Sequence, residues 1–250
     1  MPVKLEVEDR IAWIRLDYPG ALNRKTMKML VEAIDSSESN ERAKIIAMTG
    51  SGKFFSVGID LKELAGSSSP DEAMGLFKSL VETFNRLLHV SKPLIILVNG
   101  DAFGGGAELI WTGDIVVSLK DARLVWAEAK WGLIPPLLTI IGPYYLGPAR
   151  ASLLAMTSSG ITGKEAKELG IVSEIVDSVE ELEEKAIEIS RRIMANSPQA
   201  VASIKKLLTL SKISQLIEAS SRELIRLSAS QEALEAARMF REKREPAYKW

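Results

Sequence analysis

Two glutamates and two glycine-bearing corners hold the chemistry that this 250-residue chain offers. The first corner is VNGDAFGGGAEL, residues 98–109. An apolar run, LIILV at 94–98, leads into it after Pro93 and has the length of a buried strand. Gly100, Gly104, Gly105 and Gly106 follow, and then a stretch able to continue as a helix. Glycines at a strand-to-helix corner allow unusual φ and close backbone approach. The free N–H groups at a helix start, at its positive dipole end, suit an oxygen carrying negative charge. Glu108 stands in that first turn. The second corner lies upstream in FFSVGIDL, residues 54–61, and turns at Gly58-Ile59. Two backbone N–H groups converging on one point form an oxyanion hole. Glu128 ends a later strand, and a carboxylate pair facing such a hole can handle a water and a carbon-bound proton.

The elements must bring these groups together. Parallel strands joined by a helix put both corners at the same edge of one sheet, where α/β proteins bind ligands. The strand candidates are 45–48, 94–98, 115–119, 123–126 and 171–176, after an N-terminal hairpin that turns at Glu8-Asp9-Arg10. Asn23 caps a helix running to about residue 34, with Met27, Leu30, Val31 and Ile34 on one face. A helix spans about 71–88, and Asp60 reads as a cap beside the corner rather than a catalyst. Thr162 and Glu165 form a capping box, and Gly170 ends that helix. Leu182, Ala186, Ile189 and Ile193 stripe a helix at about 180–195, and further helices follow Pro198. The shift in composition near 195 divides the chain into a core, 1–195, and a helical C-terminal region, 196–250, rather than an independent domain.

Composition excludes several classes. The apolar fraction is 46% and the net charge −1, so no general attraction to nucleic acid or anionic membrane follows. There is no cysteine and one histidine, His89, so neither thiolate chemistry nor a His/Cys metal site can be built. His89, just before the Pro93 strand, suits a packing or hydrogen-bonding role. The triple glycine is neither a G-x-G-x-x-G fingerprint nor a P-loop, and Gly52-Lys53 is followed by Phe54. No signal peptide or membrane span is legible, which points to the cytoplasm.

The segments FFSVGIDLKEL, VNGDAFGGGAEL and AEAKWGLIPP, with TGKEAKELGIVSEIV and the terminal FREKREP, resemble the enoyl-CoA hydratase/isomerase, or crotonase, superfamily. The resemblance covers nearly the whole chain. It implies an α/β fold of the ClpP/crotonase-like type, a ββα superhelix whose helical C-terminal region assembles trimers, often paired into hexamers. It implies that the N–H groups of Ile59 and Gly105 hold a thioester oxygen. Ile59, Asp60, Leu61 and Lys62 match the stretch lining the CoA channel. Ala21, Leu22, Gly104 and Trp131 are further expected acyl-CoA contacts, and Phe240 and Lys243 are expected near the adenine end. Lys62, Lys243 and Arg24 are candidates for the CoA phosphates. Glu108 and Glu128 match the two glutamates of the hydratases. The implied reaction is syn addition of water to a 2-enoyl-CoA, with Glu108 activating water for attack on C3 and Glu128 supplying the C2 proton. No cofactor is expected beyond the CoA of the substrate.

The chain also departs from the family pattern. Ala127 replaces the proline usual before the second glutamate, and Pro136-Leu137-Leu138-Thr139 replaces a glycine-rich run. Trp126 and Trp131 are bulky neighbours of Glu128, and Ile59 is β-branched where small residues are common. The Pro-Pro-Leu-Leu segment is closer to branches acting on branched or glutaconyl-type acyl groups. The alternatives are a Δ3,Δ2-enoyl-CoA isomerase, which needs one base, and a non-catalytic assembly or RNA-binding member. The near-neutral charge and the intact glutamate pair argue against the latter. Apolar stripes in the last helices, at Ile204, Leu207 and Leu208, at Ile213, Leu216 and Ile217, and at Leu224, Ile225 and Leu227, are expected to include contacts with other subunits.

Overall fold

The computed structural model describes residues 1–212, 215–246 and 248. The strands are β1 (Val3–Glu8), β2 (Ile11–Leu16), β3 (Ala21–Leu22), β4 (Ile45–Thr49), β5 (Phe54–Ser56), β6 (Gly58–Ile59), β7 (Leu94–Val98), β8 (Asp101–Phe103), β9 (Ile115–Leu119), β10 (Arg123–Val125), β11 (Gly160–Thr162) and β12 (Glu174–Val176). The helices of the first two thirds are α1 (Arg24–Ser39), α2 (Leu61–Ala65), α3 (Pro70–Leu88), α4 (Gly105–Leu109), α5 (Pro136–Leu146) and α6 (Pro148–Thr157). The rest are α7 (Gly163–Glu168), α8 (Val179–Met194), α9 (Pro198–Lys212), α10 (Gln215–Ser228) and α11 (Gln231–Arg241).

Six strands form the main sheet in the order β1-β2-β4-β7-β9-β12. β1 and β2 are an antiparallel hairpin whose turn residues, Asp9 and Arg10, have φ of 48° and 66°. Positive φ at both positions matches the twist that a two-residue hairpin needs. Every later pair in this sheet is parallel. Central β4 and β7, IIAMT and LIILV, are buried at every position, as expected of parallel strands covered on both faces. One face carries Met27, Leu30 and Ile34 of α1 and Phe77 and Phe84 of α3. The other receives Leu182, Ala186 and Ile189 of α8 against Trp13, Ile45, Ile95 and Val117.

A second sheet, β11-β10-β8-β5, is built from short strands that follow the main ones, and β3 pairs with β6. The chain thus repeats a ββα unit: β4, β5 and α2, then β7, β8 and α4. Both glycine corners leave this second sheet, in which β5 and β8 are parallel neighbours. They do share one sheet edge, but that of the small sheet rather than of the six-stranded one.

The C-terminal helices pack on their own core to different extents. Ile217 and Leu224 of α10 are buried and Ile225 is partly so. Lys205 of α9 is held at 2.5 Å by Asp114. Ile204, Leu207 and Leu208 of α9 are 57–67% exposed. Of the three expected stripes, therefore, that of α10 is turned inward and that of α9 outward; Ile213 and the side chain of Leu216 lie outside the described residues.

Candidate active site

β6 pairs with β3 in the register Ala21↔Gly58 and Leu22↔Ile59. Asp60 N–H donates to the Leu22 carbonyl at 3.1 Å. Successive strand residues point oppositely, so Ile59 N–H faces away from β3. At the other corner, Gly104 has φ 49° and ψ −125°, a conformation only glycine adopts without strain, and its N–H is tied to Val125 O at 2.8 Å. α4 starts at Gly105, whose N–H lies in the first turn and has no acceptor within the helix. The two corners touch. A Cβ on Gly105 would lie 3.7 Å from Ile59 N, and one on Gly58 would lie 3.1 Å from Gly105 N. The two expected oxyanion donors are therefore adjacent. Asp60 accepts from Lys62 and Glu63 N–H, as its reading as a cap requires.

Glu108 is fully buried on α4. Its carboxylate accepts from Leu137 N at 2.5 Å and from Leu138 N at 3.1 Å, the first two N–H groups of α5. Pro136 opens that helix and has no N–H to offer, so both leading donors serve Glu108. In the Pro-Pro-Leu-Leu segment, Leu137 and Leu138 thus clamp a glutamate.

Glu128 opens a 3-10 turn, Glu128–Trp131, instead of ending β10, which stops at Val125. It is buried, its Oε2 has no hydrogen-bond partner, and its Oε1 lies 3.5 Å from where a Cβ on Gly104 would sit. Burial pushes the Glu128 carboxyl up to about 8. Burial first, then the Glu128 charge, raises Glu108, and the N–H groups of Leu137 and Leu138 oppose this. The Trp126 indole gives Glu108 a further lowering influence, although its Nε1 lies outside hydrogen-bond geometry. Both carboxyls are thus raised, and the charge on Glu128 bears on the ionisation of Glu108. The two are held differently: Glu108 accepts from two helix N–H groups, whereas Oε2 of Glu128 has no partner.

Both carboxyls line one cavity of about 70 Å³ with Ile59, Gly104, Gly105 and Trp131. Its remaining walls are apolar: Phe77 and Phe84 from α3, Leu133 before α5, Leu61, and Leu224 from α10. Among the described residues no lysine or arginine lines it. Leu22 lies beneath, with its Cδ1 3.4 Å from a Cβ on Gly105, and Ala21 is half-buried beside Gly58. Phe240 stands one shell out, edge-on to Trp131 at 5.3 Å. Lys62 and Lys243 are exposed, whereas Arg24 is engaged by Glu63 at 2.7 Å and by the Glu72 carbonyl. His89 bonds to Asn85 O at 2.7 Å and takes no part in the cavity. Among the described residues no His/Cys/Asp/Glu cluster could hold a metal. Sequence reasoning missed Leu224, Phe77 and Phe84 as cavity walls; their helical apolar spacing shows only that each faces inward.

The family described as "Enoyl-CoA hydratase/isomerase" matches residues 6–250. A carnitinyl-CoA dehydratase of Salmonella arizonae is 34% identical over 249 residues, covering 94% of each chain. A probable enoyl-CoA hydratase of Bacillus subtilis is 31% identical over 253 residues, covering 99% of this chain and 98% of that one. The crystal structure of an enoyl-CoA hydratase from Bacillus halodurans superposes with a TM-score of 0.84 at 25% identity, over 94% of this chain and 98% of the other. Mixed sheets followed by C-terminal helices are thus the α/β crotonase fold. With two touching glycine corners, two buried glutamates and a family match over nearly its full length, the chain belongs to the enoyl-CoA hydratase/isomerase (crotonase) superfamily.

Proposed function

We propose that the protein is a hydro-lyase, an enoyl-CoA hydratase that adds water syn across the double bond of a 2-enoyl-CoA. The carrying observation is the unequal pair: Glu108 with two helix N–H donors and Glu128 with an unpartnered oxygen, on one cavity with Ile59 and Gly105. The two relatives, named as a dehydratase and as a probable hydratase, correspond to the two directions of one such chemistry. The thioester oxygen sits between the N–H groups of Ile59 and Gly105. Glu108 takes a proton from water as the hydroxyl oxygen bonds to C3. The double-bond electrons move towards the thioester, whose oxygen gains charge against the two donors. Glu128 delivers its proton to C2 on the same face. The proton on Glu108 then passes to Glu128, with which it is coupled, and restores the pair. An isomerase needs one shuttling base, so the second buried carboxyl supports hydration.

In this reading Ile59, Gly104, Gly105, Leu61 and Trp131 contact the acyl thioester. Ala21, Leu22, Asp60, Lys62, Phe240 and Lys243 flank the CoA arm; the packing of Phe240 on Trp131 supports this side of the cavity as the entrance. The core, 1–195, and the helical region, 196–250, work as one unit in a homotrimer or hexamer, placed in the cytoplasm. Stopped assays of crotonyl-CoA hydration and of 3-enoyl-CoA isomerisation test the proposal. Glu108→Gln and Glu128→Gln are each expected to lower kcat for hydration by about 10²–10⁴-fold with CoA-ester binding kept. Isomerisation without hydration, or hydration that survives Glu108→Gln, refutes it.

A further inference from the structure

We propose that the described part of the C-terminal segment, residues 242–246 with Tyr248, is a strap that fixes Glu128 in place and keeps water from it. This rests on the reading of Glu128 as the proton donor. Glu128 Oε2 has no hydrogen bond, so the backbone of the Glu128–Trp131 turn alone aims the carboxyl. That turn is gripped from outside. Tyr248 donates its hydroxyl to Lys130 O at 2.8 Å, and Glu245 pairs with Lys130 Nζ at 2.6 Å. Lys130 N–H donates to Ser158 Oγ at 3.0 Å, and Phe240 abuts Trp131. Gly132, at φ 70°, brings the chain against the start of α11, where a Cβ would lie 3.0 Å from Ala233 N.

The turn is also a partition. Glu128 and Trp131 line the catalytic cavity on its inner side. Ala129, Lys130 and Gly132 line a separate cleft of about 710 Å³ on its outer side, and Pro246 and Tyr248 form part of that cleft's wall. The outer cleft is open to solvent, so displacing the strap exposes the back of the turn. The Lys130–Glu245 pair is too exposed to provide the hold by itself. The hold comes from several contacts made at once, with the Tyr248 hydroxyl on a backbone carbonyl as the directional one.

Glu108, whose carboxyl the Glu128 charge raises, is the titratable group that shares the cavity with Glu128, while α3, α10 and the segment before α5 present Phe77, Phe84, Leu224 and Leu133. Lys130, Glu232 and Glu245 stand on the outer side. Once the strap is loosened, solvent reaches Glu128, its carboxyl falls from about 8 towards the ordinary range, and the donor is lost at neutral pH.

The test compares a chain ending at Arg244, Tyr248→Phe, Lys130→Arg and Glu128→Gln in hydration of crotonyl-CoA across pH. The truncated chain and Tyr248→Phe are expected to lose kcat, the former by about tenfold or more, since small misplacement of a catalytic group is costly. KM should stay near that of the intact protein. The alkaline limb of kcat should move to lower pH, by roughly one unit or more in the truncated chain, as the buried carboxyl becomes solvated. Lys130→Arg keeps the pair with Glu245 and the carbonyl at 130, and should retain both kcat and the limb. Should the truncated chain fail to fold by circular dichroism, Tyr248→Phe decides alone. An unmoved alkaline limb overturns the strap while an inactive Glu128→Gln leaves the hydratase reading intact. A rise in KM with kcat unchanged also overturns it, by assigning the segment to CoA binding. Full hydration by Glu128→Gln removes both.

Discussion

Replacing Glu128 with glutamine is expected to lower activity severely and, at alkaline pH, to stabilise the protein. The carboxyl titrates near 8 in the folded chain against an ordinary 4.5. Below 4.5 both folded and unfolded forms are protonated and burial of the charge costs nothing. Between 4.5 and 8 the unfolded chain releases a proton that the folded chain retains, so stability falls with rising pH. Above 8 the full penalty is present. At about 1.4 kcal/mol per tenfold change in proton affinity, the gap corresponds to at most about 5 kcal/mol. Removing the Glu128 charge also relieves Glu108, in the same direction. Glutamine has its own cost, because a buried amide takes the place of an unpartnered carboxyl, of about 1–3 kcal/mol. That cost does not change with pH. The measurement is therefore the difference in urea midpoint between Glu128→Gln and the parent at pH 5 and at pH 9. The variant should be level with or below the parent at pH 5 and gain by several kcal/mol at pH 9. A difference that stays constant across this range refutes the raised, buried Glu128 carboxyl that the proposed proton donor requires.

Gly105→Pro should keep the fold, since proline is tolerated at the first helical residue, and should lower kcat by about 10²–10³-fold through loss of one oxyanion donor; wild-type turnover in a folded variant removes Gly105 from that role. Lys205→Met strips the partner from Asp114, whose carboxylate still accepts Leu94 N–H at 2.7 Å. The loss should fall at the lower end of about 3–5 kcal/mol in chemical denaturation. Light scattering should give a mass near three or six times 27.4 kDa. Ile204→Glu, on the outward stripe of α9, should lower that mass, and a 27.4 kDa species in the parent would contradict the assembly.

What the sequence revealed was the chemistry that is local in the chain. Asn23, Asp60 and Thr162 were legible as caps because each closes a hydrogen bond to a backbone N–H two or three residues away. The corners at Gly58 and Gly104 were legible because the residue type itself marks the backbone conformation. β3, β8 and β11 were not, since strands of two or three residues exist only through their partners. The ending of β10 before Glu128 was invisible for the same reason. The clamp on Glu108 spans 29 and 30 residues to Leu137 and Leu138, and nothing in a proline pair announces which carboxylate its helix will hold. Apolar spacing identified the inward faces of α3 and α10 without saying that Phe84 and Leu224 would meet at the same cavity.

The cavity's last wall has a consequence for how the protein is made. Glu108 and both corner donors belong to the first half of the chain, and Leu224 to its final helices. At about 5–20 residues per second, a ribosome that has delivered Glu108 takes roughly 6–23 s more to deliver Leu224. Throughout that interval Phe77, Leu80 and Phe84, which α10 later covers, present an apolar face on α3 without its partner. The nascent chain therefore has both buried glutamates long before it has the cavity that encloses them. Under the proposed function acyl-CoA binding should begin only once α10 has arrived, and chaperone contact during synthesis should concentrate on α3.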